Sequence, residues 1–204
     1  MKNFSIKDKE LVVFDLDGTI VDLTVDWISL KDFLVKKYEE IYQESCDFKS
    51  VSRCLEKIVE KKDENTIQNF FDIIRHYELE NIKDVKIIDE TIFFINNKNL
   101  FEVKNEIKFA ILSLNTRETI IRALKIAGIN DKIDLIIGRE DVRKWKPNPE
   151  GLLTILNHFK IKKEEVIYFG DMEKDLLTGE NAGIEAHLID ELINLVKKKK
   201  FTEK

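Results

Sequence analysis

The sequence predicts an α/β protein, a doubly wound parallel sheet with a helical bundle inserted after the first strand. Two observations carry this. Short, near-continuously apolar runs at Leu11–Phe14, Phe109–Leu112, Leu135–Ile137 and Val166–Phe169, with a weaker one at Ala186–Ile189, read as strands covered on both faces, and helical patterns alternate with them. The stretch from Leu23 to Ile95 is different: it has neither glycine nor proline, and its apolar residues recur at helical spacing.

In chain order, Leu11–Phe14 is the first strand. The insertion then shows three helical stripes: Trp27, Leu30, Leu34, Tyr38 and Ile41; Val51, Leu55, Ile58 and Val59; Ile67, Phe70, Phe71 and Ile74. A further amphipathic run at Ile87–Phe94 is assigned to the same bundle, and Asn96–Asn99 to a hinge back to the core. Arg117–Ala127 reads as a helix with Ile120, Ile121 and Leu124 on one face and Gly128 as its stop. Glu150–Phe159 reads as a second, opened by Asn148 as N-cap and Pro149 in the first turn. Glu173–Asn181 reads as a third, ended by Gly183. The expected division is therefore a core of residues 1–22 and 97–204 and an insertion of residues 23–96.

Composition narrows the function classes. Apolar residues make up 43%, enough for a buried core. Charged residues are abundant at 36% but nearly cancel to −5, which argues against nucleic acid as partner, because a phosphate backbone calls for a basic surface. The basic run Lys197–Lys200 reads as the solvated end of the last helix, where cations complement the dipole. No apolar run reaches the roughly 18 residues of a membrane span, and the polar start Met1–Glu10 carries no leader-like apolar run. The expectation is a cytoplasmic protein, with Cys46 and Cys54 as small buried thiols and His76, His158 and His187 as structural residues.

Four segments carry chemistry. Asp15-Leu16-Asp17-Gly18-Thr19 follows the first strand directly, and in open sheets of this kind ligands bind outside the carboxyl ends of the strands. Ser113-Leu114-Asn115-Thr116 follows the Phe109–Leu112 strand, and hydroxyls before a helix N-terminus suit a phosphate oxygen. Lys144-Trp145-Lys146-Pro147 offers a compact cation. Gly170-Asp171-Met172-Glu173-Lys174-Asp175 follows the Val166–Phe169 strand, with Asp171 and Asp175 one helical turn apart. Carboxylates gathered at strand ends are costly unless a cation neutralises them, and magnesium, which takes a few carboxylates plus substrate phosphate, fits.

This ordered set resembles the four signature motifs of the haloacid dehalogenase-like hydrolase superfamily. The insertion resembles that family's early-inserted (C1) helical cap, and Gly138–Leu152 resembles phosphoglycolate phosphatase-like members. The resemblance implies a Mg2+-dependent phosphatase acting on a small phosphorylated metabolite, with no nucleic-acid or membrane partner. It implies Asp15 as covalent nucleophile and Asp17 as acid and base, with Ser113 and Lys146 holding the phosphoryl group. It further implies metal binding by Asp15, Asp17 through its carbonyl, and Asp171, with Asp175 behind Lys146 or the metal. Leu114 departs from the usual motif, in which Asn follows the Ser directly, so a phosphate contact from Asn115 is not carried over. A phosphomutase, a haloacid dehalogenase (disfavoured by Asp17) and a phospho-accepting regulatory module are the alternatives. Trp27, Phe70, Phe71 and Tyr77 are read as cap core ahead of pocket lining, and Asp22 and Asp26 as residues near the hinge or capping a helix.

Overall fold

The computed structural model describes residues 4–202; Met1–Asn3 and Glu203–Lys204, the outermost parts of the expected core segments, lie outside the described residues. The chain runs β1 (Leu11–Phe14), β2 (Val21–Asp22), α1 (Trp27–Tyr42), α2 (Val51–Glu60), α3 (Glu64–Glu80), β3 (Lys86–Ile87) and α4 (Asp89–Asn96). It continues β4 (Lys108–Leu112), α5 (Arg117–Ile126), β5 (Leu135–Ile137), α6 (Glu150–Phe159), β6 (Val166–Gly170), α7 (Glu173–Ala182), β7 (Glu185–Leu188) and α8 (Ile189–Thr202). The main sheet is parallel throughout in the order β5-β4-β1-β6-β7. The first strand is central, and the chain builds outward on one side of it and then on the other. The order therefore reverses at β1, where an open sheet leaves a crevice beyond its carboxyl edge.

The period-two alternation of the strands divides the core into two layers. Val12, Phe14, Phe109, Ile111, Ile167 and Phe169 face Ile120 and Leu124 of α5, Phe94 of α4 and Leu192 and Val196 of α8. Leu11, Val13, Ala110, Leu112, Val166 and Tyr168 face Leu152 and Ile155 of α6. Each fully buried Val, Leu, Ile or Phe side chain among them contributes about 1.5–3 kcal/mol of transfer free energy. The second layer runs on without a break into Leu30, Leu34 and Tyr38 of α1, Leu55 and Ile58 of α2, and Ile67, Phe70, Phe71 and Ile74 of α3. Phe71 meets the core through an edge-on contact with Trp145, ring centroids 6.3 Å apart.

Three features differ from the sequence expectation. The Ile87–Phe94 run, assigned to the inserted bundle, becomes α4 and packs on the core. Phe94 contacts Phe14, Phe101 and Phe109. Helical periodicity fixes which face of a helix is apolar, not which neighbour covers it. The short strands β2 and β3 pair antiparallel where the chain leaves and re-enters the core, Val21 opposite Ile87 and Asp22 opposite Lys86. We place the ends of the helical cap at this ribbon, which shortens the expected 23–96 segment at its C-terminal end. The second difference is Cys46–Cys54, expected as two free thiols and found as a disulfide with Cα atoms 6.0 Å apart, within bridging range. Ser50 caps α2 by accepting a hydrogen bond from Arg53 N, and the turn it starts brings Cys54 back beside Cys46. The weak last strand is displaced by one residue because Ile189 opens α8. Its poor apolar signal reflects an edge position with only partial burial. Among the described residues no helix is long and apolar enough to cross a membrane.

Candidate active site

Strand register brings three of the four motifs together. Phe14 pairs with Ile111 on one side and Phe169 on the other. Continuing both registers by one residue sets Asp15 level with Leu112 and Gly170, so Ser113 and Asp171 emerge beside it at the same edge. The backbone N–H of Asp15 still donates to Phe169 O (2.9 Å) and that of Ser113 to Ile137 O (3.0 Å), which locks both residues at the moment they leave the sheet. The β-ladders thus position these groups on a rigid support.

Lys146 lies in the loop after β5, and its peptide bond to Pro147 is cis. Its Nζ sits 2.9 Å from Asp15 Oδ2 and 2.8 Å from Asp175 Oδ1. Lys146 is 6% exposed and Asp15 5%. Burial by itself would lower the pKa of Lys146, but the two carboxylates outweigh it and hold the pKa above its ordinary value. Asp175 is the matching case: burial would raise it, and Lys146, the Tyr168 hydroxyl (2.7 Å) and Met172 N–H (3.1 Å) together keep it low. The expected convergence of Asp15, Ser113, Lys146, Asp171 and Asp175 is therefore present as geometry. Asp17, Trp27 and Met172 join most of them around a cavity of about 430 Å³ between the sheet edge and the cap.

Asp17 and Asp171 are the strained carboxyls of this cavity. Burial, then the charge of Asp15 beside each, pushes both up to about 6. Asp17 Oδ1 accepts a hydrogen bond from Leu23 N (2.8 Å), at the first residue of the cap connection. Gly18 adopts φ +72°, and a Cβ there would stand 2.5 Å from Asp171 Oδ2, so glycine both makes the turn and leaves room for that carboxylate. Carboxylate oxygens of Asp15, Asp171 and Asp175 all lie within 4.8 Å of one another, a hard-oxygen donor set that suits a divalent cation. Asp175 has both oxygens engaged, by Lys146, Tyr168 and Met172, and so does Asp15, by Leu16 N and Lys146.

A cation here has a signature independent of activity. A carboxyl with a raised folded pKa binds its proton more tightly in the folded chain. Between 3.8 and about 6 the folded state of Asp17 and Asp171 holds more protons than the unfolded state, so this stability is present at low pH and is lost as pH rises through that window. A divalent cation opposes the loss only where the carboxylates are ionised. The rise in Tm on adding Mg2+ is therefore expected to be larger at about pH 7.5 than at about pH 5. Equal shifts at both values, measured by thermal denaturation, would place the cation elsewhere.

Three residues of the site were not singled out from sequence. Glu78, at the end of α3 and 2% exposed, accepts hydrogen bonds from Asn115 Nδ2 (3.0 Å), Thr116 N (2.9 Å) and Thr116 Oγ1 (2.7 Å), tying the cap to the second motif. Its signal is a charge four residues after Ile74 on the apolar stripe of α3. Asn115, left without a phosphate contact, instead accepts from Ser113 Oγ (2.8 Å) and fixes that hydroxyl. Tyr168, a phenol within an apolar strand, holds Asp175, and burial raises its own pKa well above the ordinary value. Arg139, directly after β5, is 3% exposed at the same cavity. Its place two residues past Ile137, at the edge where the other motifs emerge, was the available signal. Phe70 and Phe71 are cap core as expected, Trp27 lines the cavity, and Tyr77 packs near Phe33 on another surface. Asp26 caps α1 through Ser29 N (3.0 Å).

Residues 12–189 match the family model described as haloacid dehalogenase-like hydrolase. The chain belongs to this family. Among curated relatives, the pyrophosphatase PpaX of Halalkalibacterium halodurans is 29% identical over 186 residues, covering 87% of this chain and 82% of that protein. Among solved structures, a protein described as a haloacid dehalogenase-like hydrolase from Bacteroides fragilis is 25% identical with a TM-score of 0.62, covering 87% of this chain and 86% of that one. A predicted phosphoglycolate phosphatase from Haemophilus somnus, at 14% identity and a TM-score of 0.59, shares the fold over 95% of this chain and 93% of that one. The four motifs fall inside the matched span.

Proposed function

We propose that this hydrolase is a magnesium-dependent phosphatase of a small, phosphoglycolate-like phosphomonoester, working through an aspartyl-phosphate on Asp15. The observation that carries the reading is the placement of Lys146 Nζ between Asp15 and Asp175, beside Asp171, at the carboxyl edge of the sheet. Asp15 attacks phosphorus, and the leaving oxygen takes a proton from Asp17. That carboxyl, raised to about 6, keeps a useful protonated fraction near neutral pH. Asp17 then receives the proton of the water that attacks the aspartyl-phosphate, releasing phosphate and restoring Asp15. Lys146 and Ser113 hold the oxygens of the transferring group, and Asn115 keeps the Ser113 hydroxyl oriented. Asp15, Asp171 and the Asp17 carbonyl are the residues that would hold Mg2+. The cation would offset the negative charge of the phosphoryl oxygens and of the carboxylates. The cap covers the cavity through Trp27, Lys31 and residues 49–52 and limits bulk water.

Phosphate release from p-nitrophenyl phosphate is expected with Mg2+ and is expected to stop on chelation, returning when the metal is restored. Turnover that survives exhaustive chelation would contradict the reading.

A further inference from the structure

Arg139 is the one residue at the cavity whose side chain the proposed chemistry leaves unused while it carries buried, unsatisfied donors. Its Nε and Nη1 are buried and have no hydrogen-bond partner. Burial lowers its pKa, opposed by the charges of Glu78 and Glu140. Leaving guanidinium donors bare in the interior is costly. Glu78 offsets the charge but does not satisfy the donors, because its oxygens are taken by Asn115 and Thr116. The backbone around Arg139 is fixed on both sides. Its N–H donates to Asn115 O (2.9 Å), in the loop of Ser113, and its carbonyl accepts from Trp145 Nε1 (2.9 Å), next to Lys146. The backbone of Arg139 is thus anchored between the loops of Ser113 and Lys146, and the residue lines the same cavity as Asp15. Lys31, Lys49 and Lys174 line that cavity too.

We propose that Arg139 binds a second acidic group of the substrate, a carboxylate or a further phosphate that is not transferred, so that the preferred substrates are small diacids. The planar guanidinium presents its N–H groups to paired acceptor oxygens in a geometry that an ammonium does not reproduce. This rests on the phosphatase reading above and adds a specificity determinant to it.

The test compares three substrates with Mg2+: ethyl phosphate, which lacks a second acid, phosphoglycolate, which carries a carboxylate, and inorganic pyrophosphate, which carries a second phosphate. The native protein is expected to favour at least one diacid over ethyl phosphate by about 10- to 100-fold in kcat/KM, the range of a charge-assisted hydrogen-bonded contact. Which diacid is favoured names the group. In Arg139→Gln the ratio of diacid to ethyl phosphate is expected to fall towards one, with the loss in KM more than in kcat. Arg139→Lys, which keeps the charge opposite Glu78, is expected to restore part of the ratio. The comparison within the native protein does not depend on either variant folding. Similar rates on all three substrates, or an unchanged ratio in a folded Arg139→Gln, would overturn the assignment while the phosphatase reading stands. No hydrolysis of any of the three while p-nitrophenyl phosphate is turned over would overturn the assignment alone, and no hydrolysis of p-nitrophenyl phosphate either would overturn both.

Discussion

Asp15→Asn is expected to release phosphate about 10⁴-fold more slowly than the native chain, or not detectably. The substitution keeps the size of the side chain and its position after β1, where the backbone N–H is held by Phe169 O. What it removes is the charge that attacks phosphorus, since an amide oxygen does not form a stable acyl phosphate under these conditions. It also leaves Lys146 with Asp175 as its only carboxylate partner among the contacts described, so the pair is weakened and not emptied. The variant should therefore fold, and steady-state phosphate release measured beside a thermal melt separates lost chemistry from lost structure. Near-native turnover in Asp15→Asn would rule out this residue as nucleophile.

Lys146→Met is expected to act on stability and on rate together. Methionine fills a comparable volume without charge, which leaves Asp15 and Asp175 facing each other at the bottom of the cavity. Removing one partner of a buried ion pair costs about 3–5 kcal/mol, because the remaining charge is left uncompensated. Loss of one preorganised donor to the phosphoryl oxygens is expected to lower kcat by about 10²- to 10³-fold. The stability loss should shrink as pH is lowered, because protonating the stranded carboxylates removes their repulsion. Urea denaturation at two pH values and phosphate release under saturating substrate check both parts. A variant as stable as the native chain at neutral pH would show that the ion pairs to Asp15 and Asp175 are not energetically coupled to folding.

Much of the architecture was legible because burial on both faces of a parallel sheet leaves a plain mark. Leu11–Phe14, Leu135–Ile137 and the Val166 strand are continuous apolar runs, and each chemical motif follows the end of one or opens the next helix. Asp15, Ser113 and Asp171 were legible as neighbours because they sit at strand ends, where register sets them side by side, whereas Lys146 reaches them on a loop. Less was legible where partners come from distant parts of the chain. Nothing local tells that α4 packs against Phe14 and Phe109; the Cys46–Cys54 pair is close in sequence and was missed because two thiols in a chain read as cytoplasmic do not signal a disulfide. Glu78 and Arg139 were missed for a related reason. Each is a charge that looks solvated in sequence, and only the closure of the cap over the sheet buries it. The same closure sets Glu78 against Asn115, whose Oδ1 accepts from the Ser113 hydroxyl.

The covalent step is the claim on which the remainder depends, and it is open to direct observation. A millisecond acid quench of the native protein turning over p-nitrophenyl phosphate with Mg2+, followed by peptide mass spectrometry, is expected to find one phosphoryl group on the peptide that begins the sheet, located at Asp15. Phosphate on another side chain, or burst kinetics with no phosphorylated peptide under conditions that preserve acyl phosphates, would contradict it.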